Sequence, residues 1–510
     1  MNVRSLCMWV AFAMVTSIVF AQNVETSPVV KKAINPLDYG LRDAQTGKER
    51  YDVLMAAHSD AVFFSRPLSY SGIDTIDLEI PDSAVSLPLP YNTDFANVVI
   101  NIRNDSPRDI TLFTLSGDDK AKPLAATKQQ IDNGDFSAFD QLRNGDYLVI
   151  VRDSKIWTTR IGYGYPCYRS DLLYVHDGKA VNQTAAPYSD PASEPSCSFV
   201  PVNNKLKTVE NVSIRRVRGS KSKTYCFSVS NQNNVLIKNV YIYTPKGKFI
   251  ADRAISLSNC SNCRVEDVRV DSTYSVPGSY GYAFSMGTVW NTTFVRCVAD
   301  AAWGVFGSNN VNSTTLRECD LNRFDIHCYG RDVLCVGCIF RGKQTQFSSM
   351  YGTVEFDSCH FADCLPVRIR SSYNAYTPFD IKIRHCVMDL TMKHHSLVNV
   401  MLLATERNER PELSARCWPN VYIEDLTINM PFLTRRIFLI DPTGTTSECK
   451  KPVEYMNHIK IDGLRTVRNG KPVRSELYLS SRKFFTAESL KVELNDVDLL
   501  SGRVVNLIND

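Results

Sequence analysis

Between residues 211 and 497 the chain keeps returning to one short phrase: Asn or Asp, two residues, an apolar residue, two residues, then Val, Leu or Cys. It reads Asn211-Ile214-Val217, Asn234-Ile237-Val240, Asn262-Val265-Val268, Asn291-Phe294-Cys297, Asp332-Cys335-Cys338, Asp380-Ile383-Cys386 and Asn420-Ile423-Leu426. Looser copies stand at Ser313-Leu316-Cys319, Thr353-Phe356-Cys359, His458-Ile461-Leu464 and Lys491-Leu494-Val497. Copies are mostly 19–29 residues apart and 33–40 apart late in the chain, the range of a solenoid repeat with loops of variable length. Each copy alternates apolar with polar residues and is rich in β-branched side chains, so the unit is strand, bend, strand. A leucine-rich repeat needs a more uniform period and a propeller needs blades of about 40 residues. The expected fold is therefore all-β: a right-handed parallel β-helix, each strand pairing with its counterpart one coil on.

Repeats overturn the count of about three domains that 510 residues would otherwise suggest. The opening carries Arg4, an apolar run over residues 6–20, and Val19-Phe20-Ala21 before Gln22, the features of a cleaved export signal. Residues 1–21 are thus expected to be a signal peptide, 22–200 an N-terminal cap and first coils, and 201–510 the β-helix repeats. Residues 50–64 read as a short amphipathic helix, followed by strand-like runs, and solenoids need such a cap because an open end exposes core and strand edges. No later stretch is apolar enough to span a membrane, so a secreted or periplasmic monomer is expected. The net charge of +4 is mild and predicts no nucleic-acid partner.

Sixteen cysteines in an exported chain would normally announce a disulfide framework. Here Cys297, Cys319, Cys338, Cys359 and Cys386 hold one equivalent position in the repeat, which predicts an inward column of reduced thiols packing as small hydrophobes. Cys260-Ser-Asn-Cys263 and Cys335-Val-Gly-Cys338 have zinc-knuckle spacing but lie on the phrase and lack paired His nearby, so no metal is predicted. Calcium leaves no acidic cluster, and no cofactor is expected. Loop disulfides are predicted for Cys167 with Cys197 and Cys417 with Cys449. Asn211 and Asn291 open sequons, but both hold the first position of the phrase, where Asn tolerates a bend and can ladder with its neighbours.

The chemistry-bearing stretch is residues 321–329. Read as one continuous strand, it turns Phe324, Ile326 and Cys328 inward and displays Arg323, Asp325, His327 and Tyr329 together on the outer face. Alignment on the cysteine column sets Trp303 beside Asp325 as a sugar-stacking platform. Arg331, Arg341, Lys343, Arg368 and Arg370 make the neighbouring surface cationic, which suits an acidic polysaccharide or oligosaccharide. Asp300 and Asp363 add carboxylates.

At these residues the chain resembles the secreted pectate-lyase-like β-helix proteins of bacterial glycan degradation. Leu37-Asp38-Tyr39-Gly40 is similar to the Asp-Phe-Gly or Asp-Tyr-Gly opening of their caps, and Cys319-Asp-Leu-Asn-Arg323-Phe-Asp325-Ile-His327 resembles a coil of theirs carrying Arg-x-Asp-x-His. The resemblance implies a polysaccharide lyase or a glycoside hydrolase and does not choose between them. For a lyase, an arginine would neutralise a uronate carboxylate, His327 would take the C5 proton, and Tyr329 or His327 would protonate the departing oxygen. For a hydrolase, Asp325 would pair with Asp300 or Asp363 across coils. A non-catalytic glycan-binding solenoid is the third reading.

Overall fold

The computed structural model describes residues 32–104, 108–117, 120–159, 166–219, 224–243, 253–271, 282–299, 306–342, 344–362, 364–369, 379–390, 396–401, 416–417, 419–430, 436–443, 453–454, 458–480, 490–500 and 502–505. The expected leader, residues 1–21, lies outside them.

The described chain is an all-β parallel β-helix in which strands pair with their counterparts in the next coil along three ladders. The first carries Phe324–Ile326, Gln344–Phe347, Leu365–Ile369, Ser396–Met401, Arg436–Thr443, Glu476–Ser480 and Arg503–Val505 in series. The second carries Gly330–Val336, Met350–Asp357, Phe379–Arg384, Asn420–Asn429, His458–Arg468 and Lys491–Asp498. The third holds the short strands Val298–Ala299, Asp320–Leu321, Ile339–Arg341, His360–Ala362 and Val387–Asp389.

The repeated phrase sets this register from Asn234 onward: Ile237 pairs with Val265, Val265 with Phe294, Phe294 with Leu316, and Leu316 with Cys335. The first copy slips. Asn211 stands opposite Asn239 rather than Asn234, because Val212 pairs with Val240; Val217 is left exposed while Arg216 is buried beside a register shift. Three positions per coil take left-handed backbone, in one coil Asn231, Asn234 and Asn239, and Asn211 serves the last, as Asn239 does. Asn239 donates its amide to Asn211 and Asn211 to Asp94; Asn262 and Asn291 continue a parallel ladder at the middle position.

The last left-handed position also orders the cysteines. Arg296, Glu318, Gly337, Ser358 and His385 all have positive φ, and each is followed by a buried column cysteine. The turn residue swings the next side chain inward, where Cys319 meets Cys297 and Cys338, and the Cys359 amide reaches Cys386 Sγ at 3.3 Å. The thiols are free and bond to carbonyls of their own and neighbouring coils. Cys260 and Cys263 are likewise buried in the main core.

The helix Gly47–Phe63 begins at a capping box made by Thr46 and Glu49 and buries Tyr51, Leu54, Ala57, His58 and Ala61. It packs on the strands Thr75–Glu79 and Leu87–Pro88. Its His58 is pinned between the Pro88 carbonyl at 2.8 Å and the Tyr70 phenol at 2.6 Å. Asn35 caps the turn Pro36–Tyr39, which closes on Gly40 at φ +86°, so Leu37-Asp38-Tyr39-Gly40 is a tight corner whose Tyr39 bonds Asp60. Within the described residues no helix is long and apolar enough to cross a membrane.

One unit is not a coil. Lys122–Leu124, Asp146–Thr159, Pro166–His176, Lys179–Ala180 and Pro195–Val202 form a five-stranded antiparallel sheet with its own core around Phe136, Val149, Leu173 and Tyr188. It docks on the corner between the first and second ladders, where Tyr174 stacks on Trp290 and Ser170 bonds Thr288.

Candidate functional site

The stretch read as one strand over residues 321–329 is broken by two corners. Asp320–Leu321 belongs to the third ladder, Phe324–Ile326 to the first, and the second resumes at Gly330. Phe324 and Ile326 enter the solenoid core, in line with strand alternation. Cys328 does not: it packs outside the solenoid with Trp157, Ala185 and Tyr329. The alternation fails there because Tyr329 holds the left-handed corner position, φ +71°, that Asn310 and Ser349 hold in adjacent coils.

Arg323, Asp325 and His327 do converge on one face. Arg323 donates to Asp325 Oδ2 at 2.6 Å, and His327 Nε2 lies 2.9 Å from the same oxygen. They are not the open row expected from sequence. Asp325 is fully buried, Arg323 is 3% exposed, and the His327 side chain retains 12%. Burial alone would push the Asp325 carboxyl up, but the neighbouring charges of His327 and Arg323, with hydrogen bonds from both, hold it below the ordinary carboxylate value. Arg323 is thus committed to Asp325 and is not placed to neutralise a sugar carboxylate.

Tyr329 is sealed as well. Its phenol donates to Asp171 Oδ2 at 2.9 Å and accepts from the Ala186 amide at 3.0 Å, and its ring meets Trp157 edge-on. Burial and the Asp171 carboxylate raise its pKa well above that of a free phenol. A group with no surface, held at high pKa, is not placed to relay a proton to a saccharide. The phenol that stands beside His327 is that of Tyr282, its hydroxyl 3.1 Å from His327 Nε2. It lies just before the strand Phe284–Val295, off the repeated phrase; the aromatic run Tyr280, Tyr282 and Phe284 is its sequence signal.

The expected cationic surface divides. Arg368 lines up with the site: Asp325 is the register neighbour of Gln346, and Gln346 of Arg368, two rungs along. Arg331 turns toward the docked sheet, bonding Asp332 and the Thr184 carbonyl. Arg341 lies on the third ladder in a bidentate pair with Asp320 at 2.6 and 2.8 Å, so it belongs to a different face. Trp303, Lys343, Arg370, Asp300 and Asp363 lie outside the described residues, as does Cys449 of the expected Cys417 pair. Cys167 is not beside Cys197: Cys197 is in the core of the antiparallel sheet, while Cys167 packs against Cys328.

The parallel ladders, coil by coil, define the class: a β-helix whose outer face carries a buried Arg-Asp-His cluster. No family model matches the chain, and no curated protein does. Among solved structures, the tailspike protein gp49 of Pseudomonas phage LKA1 aligns with a TM-score of 0.58 at 12% identity, covering 94% of this chain and 81% of that one. The tailspike gp61 of Pseudomonas phage phi297 aligns at 0.54 and 11% identity, covering 91% and 84%. At such identities the likeness is one of fold.

Proposed function

We propose that the chain is an exported carbohydrate-active β-helix that cleaves an acidic glycan by β-elimination, with His327 as base. The observation that carries this reading is the shared Asp325 oxygen. A buried carboxylate, held ionised by Arg323, fixes the imidazole by one nitrogen and leaves the ring at the edge of the accessible surface. In the reaction, His327 takes the C5 proton of a uronate, the C4–O bond breaks as a C4–C5 double bond forms, and the leaving oxygen gains a proton. Tyr282, within hydrogen-bonding distance of the imidazole, is the residue in this cluster that can pass one on. Arg368, half-buried two rungs along the same ladder, is assigned to the sugar carboxylate in place of Arg323, because its register places it in line with Asp325.

The same observation weighs against hydrolysis through Asp325. A general acid must be protonated and must reach the glycosidic oxygen; Asp325 is buried, held below the ordinary carboxylate pKa and engaged by Arg323 and His327. The test is incubation with a panel of uronate polysaccharides while ultraviolet absorbance is followed. Unsaturated product from wild type and none from His327→Ala supports elimination. New reducing ends without that absorbance would mean hydrolysis, and retention of glycan without either product would mean a binding solenoid.

A further inference from the structure

A second groove lies on the second ladder, away from the His327 cluster. Lys382, Tyr422 and Lys460 are register neighbours on three successive coils, so one tyrosine ring sits with a lysine on the rung below and a lysine on the rung above. All three are half-buried and line a concavity of about 330 Å³ together with Glu424 and Asp462. The cationic neighbour on this face, Arg384, is neutralised by Glu355 at 2.9 Å and Glu424 at 3.4 Å. Lys382 and Lys460 are different: among the described residues neither has an ion-pair partner. The Tyr422 ring is steadied by His458, edge-on at 5.3 Å between ring centres.

We propose that this groove is a second glycan-binding site, and that it takes an acidic saccharide chain bearing one carboxylate or sulfate on every second sugar. The proposal rests on the carbohydrate reading above and names the class of chain. Rungs repeat at about 4.8 Å, comparable to the length of one pyranose along a glycan. A chain laid along the ladder therefore meets Lys382, then Tyr422, then Lys460, one sugar to each. The lysines supply charge-assisted bonds to acids at alternate positions, and the ring between them offers a face to a neutral sugar. A uniform polyuronate would instead set an acid over the tyrosine and beside Glu424 on the same rung, which repels it. Asp462 lies on the rung of Lys460 and suits the hydroxyls of the sugar held there, because a carboxylate accepts from them.

Binding is measured by calorimetry in the His327→Ala background, so that turnover cannot confuse it, with an alternating uronate–neutral oligosaccharide and a homo-uronate oligosaccharide of equal length as probes. The expected result is tighter binding of the alternating chain, weakened about tenfold when Lys382 and Lys460 are both changed to Ala, with a comparable loss for Tyr422→Ala. Lys382→Gln with Lys460→Gln repeats the test with side-chain bulk kept and charge removed. Equal affinity for the two probes overturns the alternation, and affinity unmoved by either lysine pair overturns the site. Sedimentation showing that this face joins copies of the chain, and that the lysine variants separate them, also overturns it. The ultraviolet assay on wild type reports separately on elimination, so failure there leaves a distinct signature from failure here.

Discussion

Tyr329 and Asp171 meet at 2.9 Å across the join between the solenoid and the docked antiparallel sheet. The same carboxylate accepts from the Tyr188 phenol, the Asn312 amide and the Ala185 backbone, so one buried aspartate gathers donors from both units. The corner that carries Tyr329 directly follows His327, and the docked unit therefore borders the candidate site. Removing the phenol oxygen alone, in Tyr329→Phe, should cost about 1–2 kcal/mol of stability, read from urea unfolding. Turnover should fall far less than for a change at His327; a loss as deep as that of His327→Ala would return Tyr329 to the chemistry.

His327→Ala should lower the elimination rate by about 10²- to 10⁴-fold while leaving the unfolding midpoint near wild type, because the ring is at the surface edge and not in the core. A near-normal rate in this variant would exclude the imidazole as base.

Asp325→Asn should be costly in both respects. It leaves the Arg323 guanidinium buried without its counter-charge, a loss of about 3–5 kcal/mol for a broken buried pair. Changing Arg323 to Met and Asp325 to Leu together removes both charges and should regain much of that stability, without regaining activity. The pH dependence follows from the lowered pKa of Asp325. A carboxyl depressed in the folded state contributes stability above its unfolded value, about 3.9, and loses it as pH falls through the lower folded value. Wild type should therefore lose more stability than Asp325→Asn below about pH 4, and parallel curves would count against an ionised Asp325.

The cap carries a second acid-sensitive group. Burial lowers the pKa of His58 from 6.5 to about 4, so its neutral form contributes stability that is fully present above pH 6.5 and lost as pH falls through 4. The loss should amount to about 3 kcal/mol over that interval. Thermal midpoints measured from pH 7 to 4 should fall more steeply in wild type than in His58→Gln, and equal slopes would refute the assignment.

Thiol chemistry separates the two kinds of cysteine. The column Cys297, Cys319, Cys338, Cys359 and Cys386 is buried and should resist a thiol reagent until the protein is unfolded. Cys167 is partly exposed and packs on Cys328, so any cross-link that forms under oxidising conditions should join those two. Peptide mapping without reductant that instead recovered Cys167 joined to Cys197 would contradict the packing.

What the sequence determined by itself was the solenoid. Period, alternation and Asn-rich bends are local properties that each coil repeats, and stacking adds them up; the register from Asn234 to Val497 and the cysteine column follow from that repetition. The slip at Asn211 marks its limit, since a coil has three left-handed positions that favour the same residue and the phrase does not say which. The convergence of Arg323, Asp325 and His327 was legible too, because residues two apart on a strand share a face. Their burial was not. Whether an outward side chain meets water or another part of the chain depends on what docks there: Tyr329 is covered through Asp171, and Ser170 reaches Thr288, partners more than a hundred positions apart in sequence. Only the tertiary structure could turn Tyr329 from a proton relay into a structural pin, and bring Tyr282 from another coil to His327.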